Sequence, residues 1–333
     1  MADYLFLGAL TRDFILPPED KPLVDVPGGG AAYAAAGAAL WGAHPALVAR
    51  VGEDFPRRWL QDFRQRGWDV QGVRILPRRL EDRRVRIYDA NGRLSTEQPL
   101  NAFTRRKVPF PKALLNYRPL SLRRTDLHKP TEHTLRLSDL PPHYGEARGA
   151  HLTPYDYLTH NLLPAALRNG GVPFVTLEPH PAYMSSLFFD DLPPLFHGLT
   201  AVLAPESTMR TLFSEHSVDL WEMATILGQW QVEFVVIRRE RGDVWVYETQ
   251  TQRRWVIAGY PATPTNPTGA GNAFGGAFLV ALRETLDVVQ AAVRGAATAS
   301  LAVETHGVAG LLESLPALLH ARAAVIARQV RRV

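Results

Sequence analysis

The chain has 333 residues, 46% of them hydrophobic and 21% charged, which suits a globular protein with a large core. It has no cysteine, so disulfides, thiol chemistry and cysteine-based metal sites are excluded. The formal charge of +4 is thinly spread: the runs Arg105-Arg106-Lys107 and Arg83-Arg84, with Arg86 close by, lack interleaved aromatics and read as solvated faces or phosphate-attracting rims, not as a nucleic-acid surface.

Tyr4–Leu10 reads as a buried strand with no basic leader before it, and Arg12–Leu16 as a second extended stretch broken by Pro17–Pro22. Gly28-Gly29-Gly30 opens an Ala-rich helix, Ala31–Trp41, whose small residues predict close packing on a sheet or another helix. Pro45–Val51 reads as a strand and Pro56–Gly67 as a helix with Trp59, Leu60 and Phe63 on one face. Over Val70–Pro99 the pattern turns to β, with strands Val73–Leu76 and Arg84–Asp89 and a hairpin signal at Asn91-Gly92; Arg84-Val85-Arg86-Ile87-Tyr88 alternates as in a strand with one wet face. Asn101–Gly149 reads as an irregular connection with one short helix near Lys112–Tyr117. His128, His133 and His143 lie in it without pair spacing and read as solvated loop histidines rather than metal ligands.

Strand and helix then alternate. The strands are Ala150–Thr153, Pro173–Leu177, Leu199–Ala204 and Phe234–Arg238, with Val244–Glu248 and Arg254–Ala258 as a hairpin. The helices are Tyr155–Asn169, Val218–Gln229, one running to about Thr285, Val288–Glu304 capped by Asp287, and Leu312–Arg328. Repeated β-α units predict an α/β fold: a doubly wound, mostly parallel sheet with helices on both faces. No apolar run reaches about 18 residues, so no membrane partner is expected, and the cytoplasm is the expected compartment.

Two glycine-rich segments carry the chemistry. Gly28-Gly29-Gly30-Ala31-Ala32-Tyr33 has neither dinucleotide nor P-loop spacing, and on residues alone helix packing explains it as well as a ligand site does. Asn266-Pro267-Thr268-Gly269-Ala270-Gly271-Asn272 runs straight into the apolar helix Ala273–Leu282. A glycine turn that opens a helix leaves N–H groups free at the positive end of the helix dipole, which makes an anion site with phosphate as its usual guest.

Together these segments resemble the ribokinase-like (PfkB) carbohydrate kinases. Residues 266–272 are similar to the D-T-T-G-A-G-D block of that family, with Asn266 and Asn272 in place of Asp. Residues 28–33 are similar to its G-G-x-x-x-N signature, with Tyr33 at the Asn position, and Gly8–Asp13 resembles its G-x-x-x-x-D. The resemblance implies that Asp13, Gly28, Gly29, Gly30 and Tyr33 meet the acceptor, and that Gly269, Ala270 and Gly271 form the anion hole beside Asn272 at the catalytic-base position. It implies further that Arg238, Gly242, Asn266, Thr268, His306 and Gly307 lie toward the nucleotide. The family's N-x-x-E motif is missing: after Leu199–Ala204 the chain reads Pro205-Glu206-Ser207-Thr208-Met209. Glu206 and Glu178 are the remaining candidate carboxylates for Mg2+. On residues alone both read equally as capping or loop residues, and Asp13 as a solvated carboxylate at a strand end.

The implied architecture is a single ribokinase-like domain over 1–333, with a small β lid from roughly 12–25 and 70–100 that covers the sugar and often pairs two subunits, so a homodimer is expected. The implied activity is transfer of the ATP γ-phosphoryl group, with Mg2+, to a hydroxyl of a sugar, nucleoside or related polyol. Asn has no basic lone pair near neutral pH, so turnover is expected to be slow, by about 10²–10⁴-fold relative to a carboxylate base. The changes at Tyr33, Met209, Asn266 and Asn272 keep two alternatives open: a kinase-shaped protein that binds nucleotide or sugar without turnover, and a nucleotide-using enzyme of other chemistry.

Overall fold

The computed structural model describes residues 3–90, 92–118 and 127–333; Asn91 of the expected hairpin turn lies outside them. Among the described residues the strands in chain order are β1 (Tyr4–Leu7), β2 (Thr11–Leu16), β3 (Leu23–Gly28), β4 (Pro45–Val51), β5 (Asp69–Ile75), β6 (Arg83–Tyr88), β7 (Leu94–Ser95), β8 (Gly149–Leu152), β9 (Val175–Leu177), β10 (Ala201–Pro205), β11 (Phe234–Arg238), β12 (Val244–Glu248), β13 (Arg253–Ile257) and β14 (Arg331–Arg332). Ten of them form one sheet in the order β14-β13-β12-β11-β10-β9-β8-β1-β4-β5. It is parallel from β11 to β5 and antiparallel from β11 to β14. Each face carries its own apolar core. Phe274, Phe278 and the alanines of the helix Gly30–Ala39 lie on one side, and Leu163, Met209 and Met223 on the other. Strands such as β1, β4 and β8 are therefore buried along their whole length. Among the described residues no helix is long and apolar enough to cross a membrane.

The lid is a separate four-stranded sheet, β3-β2-β6-β7. Its bounds correct the expectation from sequence. Residues 69–75 form the edge strand of the main sheet, parallel to β4, so the lid's second segment starts only at Arg83. β3 was not foreseen, because Asp25 and Pro27 argue against a strand; at the sheet edge a proline needs no ladder donor, and Asp25 takes φ 55°. The outer face of the lid is covered by the chain itself. Phe14, Leu16 and Val85 pack with Phe103 and Leu114 from the stretch read as irregular, where a helix, Pro99–Arg105, and a short turn, Lys112–Leu114, form. Beyond it, Asp139 is anchored to β4 by a buried bidentate pair with Arg50, at 2.7 and 3.0 Å. His133 and His143 are bonded to Asp82 and Asp69 rather than simply solvated. A helix at Glu206–Leu212 and strand β14 were also not foreseen. The helix expected over Leu312–Arg328 starts only at Pro316 and runs to Ala327, while Leu312 ends a separate helix, Gly307–Leu312.

Candidate active site

The two glycine-rich segments open helices that pack directly on each other. A Cβ at Gly276 would lie 1.8 Å from the Ala34 carbonyl oxygen, and one at Gly37 would lie 2.2 Å from that of Ala273. Only glycines allow the helices Gly30–Ala39 and Ala270–Thr285 to approach so closely. The small residues of the first helix thus serve a helix–helix crossing, and that crossing sets the two loops side by side. Thr153, at the end of β8, closes the gap: its Oγ1 would lie 2.0 Å from a Cβ at Gly8 and 2.5 Å from one at Gly30.

On the acceptor side Asp13 is fully buried, not solvated. Its Oδ1 accepts from Thr11 Oγ1 at 2.5 Å, while its Oδ2 has no hydrogen-bond partner. Gly28 lies against this carboxylate, leaving only 2.2 Å between Oδ2 and an added Cβ. Gly29 turns the chain at φ 96° against the Ala9 carbonyl, and Gly30 starts the helix. Tyr33 packs against the loop at Gly269: its ring would be 2.2 Å from a Cβ added there, and its hydroxyl is buried without a partner. Burial, helped by the Asp13 charge, raises the phenol pKa, so Tyr33 stays a neutral donor.

The anion loop is built by local hydrogen bonds. Asn266, held by its N–H on Val303 O, accepts from Thr268 N with its side-chain oxygen at 3.1 Å. Gly269 takes φ 82° as the N-cap, and no side chain caps the helix. Ala273 N bonds back to Gly269 O, and Ala270 N approaches Pro267 O at 3.5 Å, while the N–H groups of Gly269, Gly271 and Asn272 have no acceptor among the described residues. Free donors at a helix N-terminus are groups that can bind an anion. Asn272 has a buried, unpartnered Oδ1 3.0 Å from a Cβ added at Gly30.

Arg238, at the end of β11, donates from Nη1 to Gly271 O at 2.9 Å and pairs through both Nη groups with Glu178. Glu206 is held by Arg210 at 2.8 Å and Arg239 at 2.7 Å and accepts from Glu240 N. Burial works against its charge, but those bonds prevail and hold its pKa below the usual carboxylate range. Neither acid therefore stands free, and among the described residues no three His, Asp or Glu side chains cluster as a metal cage. Gly242 turns β11 into β12 at φ 93° and lines a hollow of about 390 Å³ with Arg241, Gly259 and Tyr260. His306 pairs with Asp20 at the tip of the lid's first hairpin, and Gly307 follows at φ 73° near the Tyr33 hydroxyl.

Two lid residues join this site that the sequence did not single out. Tyr88 OH and Thr268 Oγ1 are 2.8 Å apart, which ties β6 to the anion loop. Arg86, two residues earlier on the same face, turns its Nε toward Asp13 Oδ2 at 3.8 Å and has no hydrogen-bond partner there. The face read as wet is the one turned to the site. A tyrosine within the polar series was the available signal.

The pfkB family carbohydrate kinase pattern matches residues 152–315. The cytidine kinase of Thermococcus kodakarensis is 27% identical over 282 residues, 84% of this chain and 88% of that protein. A putative ribokinase II from E. coli has the same fold at a TM-score of 0.72, with 16% identity and 98% and 100% of the two chains covered; its complex with ATP and Mg2+ gives 0.70. Aminoimidazole riboside kinase from Salmonella enterica gives 0.66 at 16% identity, covering 96% and 99%. Residues 152–315 thus match a pfkB family carbohydrate kinase domain, and the chain as a whole has a ribokinase-like fold.

Proposed function

We propose that this protein is an ATP-dependent kinase that phosphorylates a hydroxyl of a nucleoside or a related sugar. The observation that carries the reading is the placement of Tyr33. One ring lies on Gly269 of a loop with free N–H donors and sees the charge of the buried Asp13, so phosphoryl and acceptor sites share a wall. The relative named for cytidine supports a nucleoside acceptor.

Phosphoryl transfer asks for positioning and charge stabilisation more than for covalent chemistry. The N–H groups of Gly269, Gly271 and Asn272 would take the charge on the transferred group, and Arg238, neutralised by Glu178, braces the loop through Gly271 O. Asp13 would accept from an acceptor hydroxyl. Asn272 would orient the attacking hydroxyl without taking its proton, which would pass to an oxygen of the transferred phosphoryl group as ADP leaves. ATP fits this cradle. A protein-held Mg2+ does not, because Glu178 and Glu206 are each tied to arginines; we assign Mg2+ to the nucleotide phosphates and water. Lid-to-lid pairing of two subunits would need the face that Phe103 and Leu114 cover, so we assign the lid to acceptor closure within one chain.

Incubation with ATP, Mg2+ and a panel of nucleosides and sugars, read by mass spectrometry, tests this. A monophosphorylated acceptor is expected. ATP binding with no product from any acceptor would return the protein to the class of binders without turnover, which has no support among the relatives named above.

A further inference from the structure

The acceptor side holds more polar groups than a hydroxyl-gripping Asp requires, and their charges balance. Asp13 is fully buried with Oδ2 free; Tyr33, 3% exposed, has a free hydroxyl; Arg86 has a free Nε 3.8 Å from that same Oδ2. The ionisable groups around Arg86 are Asp13 and the phenols of Tyr33, Tyr88 and Tyr117, so Asp13 is its charged counterpart. At 3.8 Å the pair is close enough to neutralise but too long to satisfy the donor and the acceptor, and buried polar atoms left so are costly.

We propose that Arg86, with Tyr33, selects the acceptor: the two donors read a carbonyl oxygen on a neutral acceptor whose neighbouring hydroxyl donates to Asp13. A ribonucleoside with a base carbonyl beside its ribose meets that demand. A bare aldose offers hydroxyls but no carbonyl in its ring form. A sugar acid brings a carboxylate that would leave the balanced pair with an uncompensated buried charge. This deepens the nucleoside reading and rests on it. It does not depend on turnover, because it concerns binding alone.

Titration calorimetry of the full chain without ATP, using cytidine, ribose and gluconate as probes, tests the inference. Wild type is expected to bind cytidine at least about 10-fold tighter than ribose, with no measurable gluconate binding. Arg86→Gln is expected to weaken cytidine by about 10–100-fold and ribose by less than about 3-fold, the span of a hydrogen bond to a charged group. Tyr33→Phe removes one hydroxyl and no volume. It is expected to weaken cytidine by about 3–10-fold, with unchanged melting, and so serves if Arg86→Gln folds poorly. Gluconate binding tightest, or Arg86→Gln weakening cytidine and ribose equally, would overturn the inference. Selective binding without phosphorylation would leave it standing and refute the kinase reading instead.

Discussion

Asp13 and Gly269 show how much of the site rests on single residues. Asp13 Oδ2 is buried and free, so Asp13→Asn exchanges an acceptor for an amide that Arg86 no longer balances. The acceptor KM should rise by about 10-fold or more while ATP affinity holds, measurable by steady-state kinetics and nucleotide titration. An equal loss of ATP affinity would mean that Asp13 is structural. Gly269 is confined twice, by φ 82° and by the Tyr33 ring 2.2 Å from an added Cβ. Gly269→Ala should lower stability by on the order of 1–3 kcal/mol and abolish ATP binding, as read by thermal unfolding with and without nucleotide. That both glycine-rich segments open helices was legible in the sequence, because turn chemistry is local. The roles of Arg86 and Tyr88 were not. Alternation fixes which residues share a face, but only the tertiary fold says what that face meets.

At the level of elements, the β4 bounds were read as they stand, as were those of β11 and β12, since each is a short apolar run between clear turn residues. Asp287 caps the helix Val288–Ala302 as expected, accepting from Val289 and Gln290 N–H. Elements held mainly by tertiary partners were missed. β3 has a proline and a charge, and β14 is two arginines paired on β13. The helix Pro99–Arg105 offers a single buried residue, Phe103. Phe103 is nonetheless fully buried against the lid strands. Phe103→Ala should remove about 3–5 kcal/mol locally and loosen the lid. Hydrogen exchange should quicken across β2 and β6 while the main sheet stays protected, and the acceptor KM should rise. Uniform exchange over the whole chain would show that the lid core does not open separately.

For the whole molecule, two buried histidines predict the acid limb of stability. Burial holds the imidazoles of His151 and His160 neutral, with pKa values down to about 3. Unfolded imidazoles titrate near pH 6.5. Between about pH 6.5 and 3 the unfolded chain therefore binds more protons, and stability falls as pH drops through that window. Each histidine contributes on the order of 1 kcal/mol per pH unit there, with the benefit fully present above pH 6.5. Melting temperatures from pH 7 to 4 should show the fall, and His151→Gln should flatten it. The covered lid face predicts the mass of one chain in solution, which light scattering can check.

In the proposed kinase reaction the free amides ahead of the helix Ala270–Thr285 would hold the transferring phosphoryl group, with Asn272 at the place of the base. The single-turnover rate of phosphoryl transfer from ATP to cytidine, in wild type and in Asn272→Asp side by side, addresses it. Both proteins should form the same monophosphate, with the variant faster by about 10²–10⁴-fold. No product from either, or an equal rate from both, would contradict it.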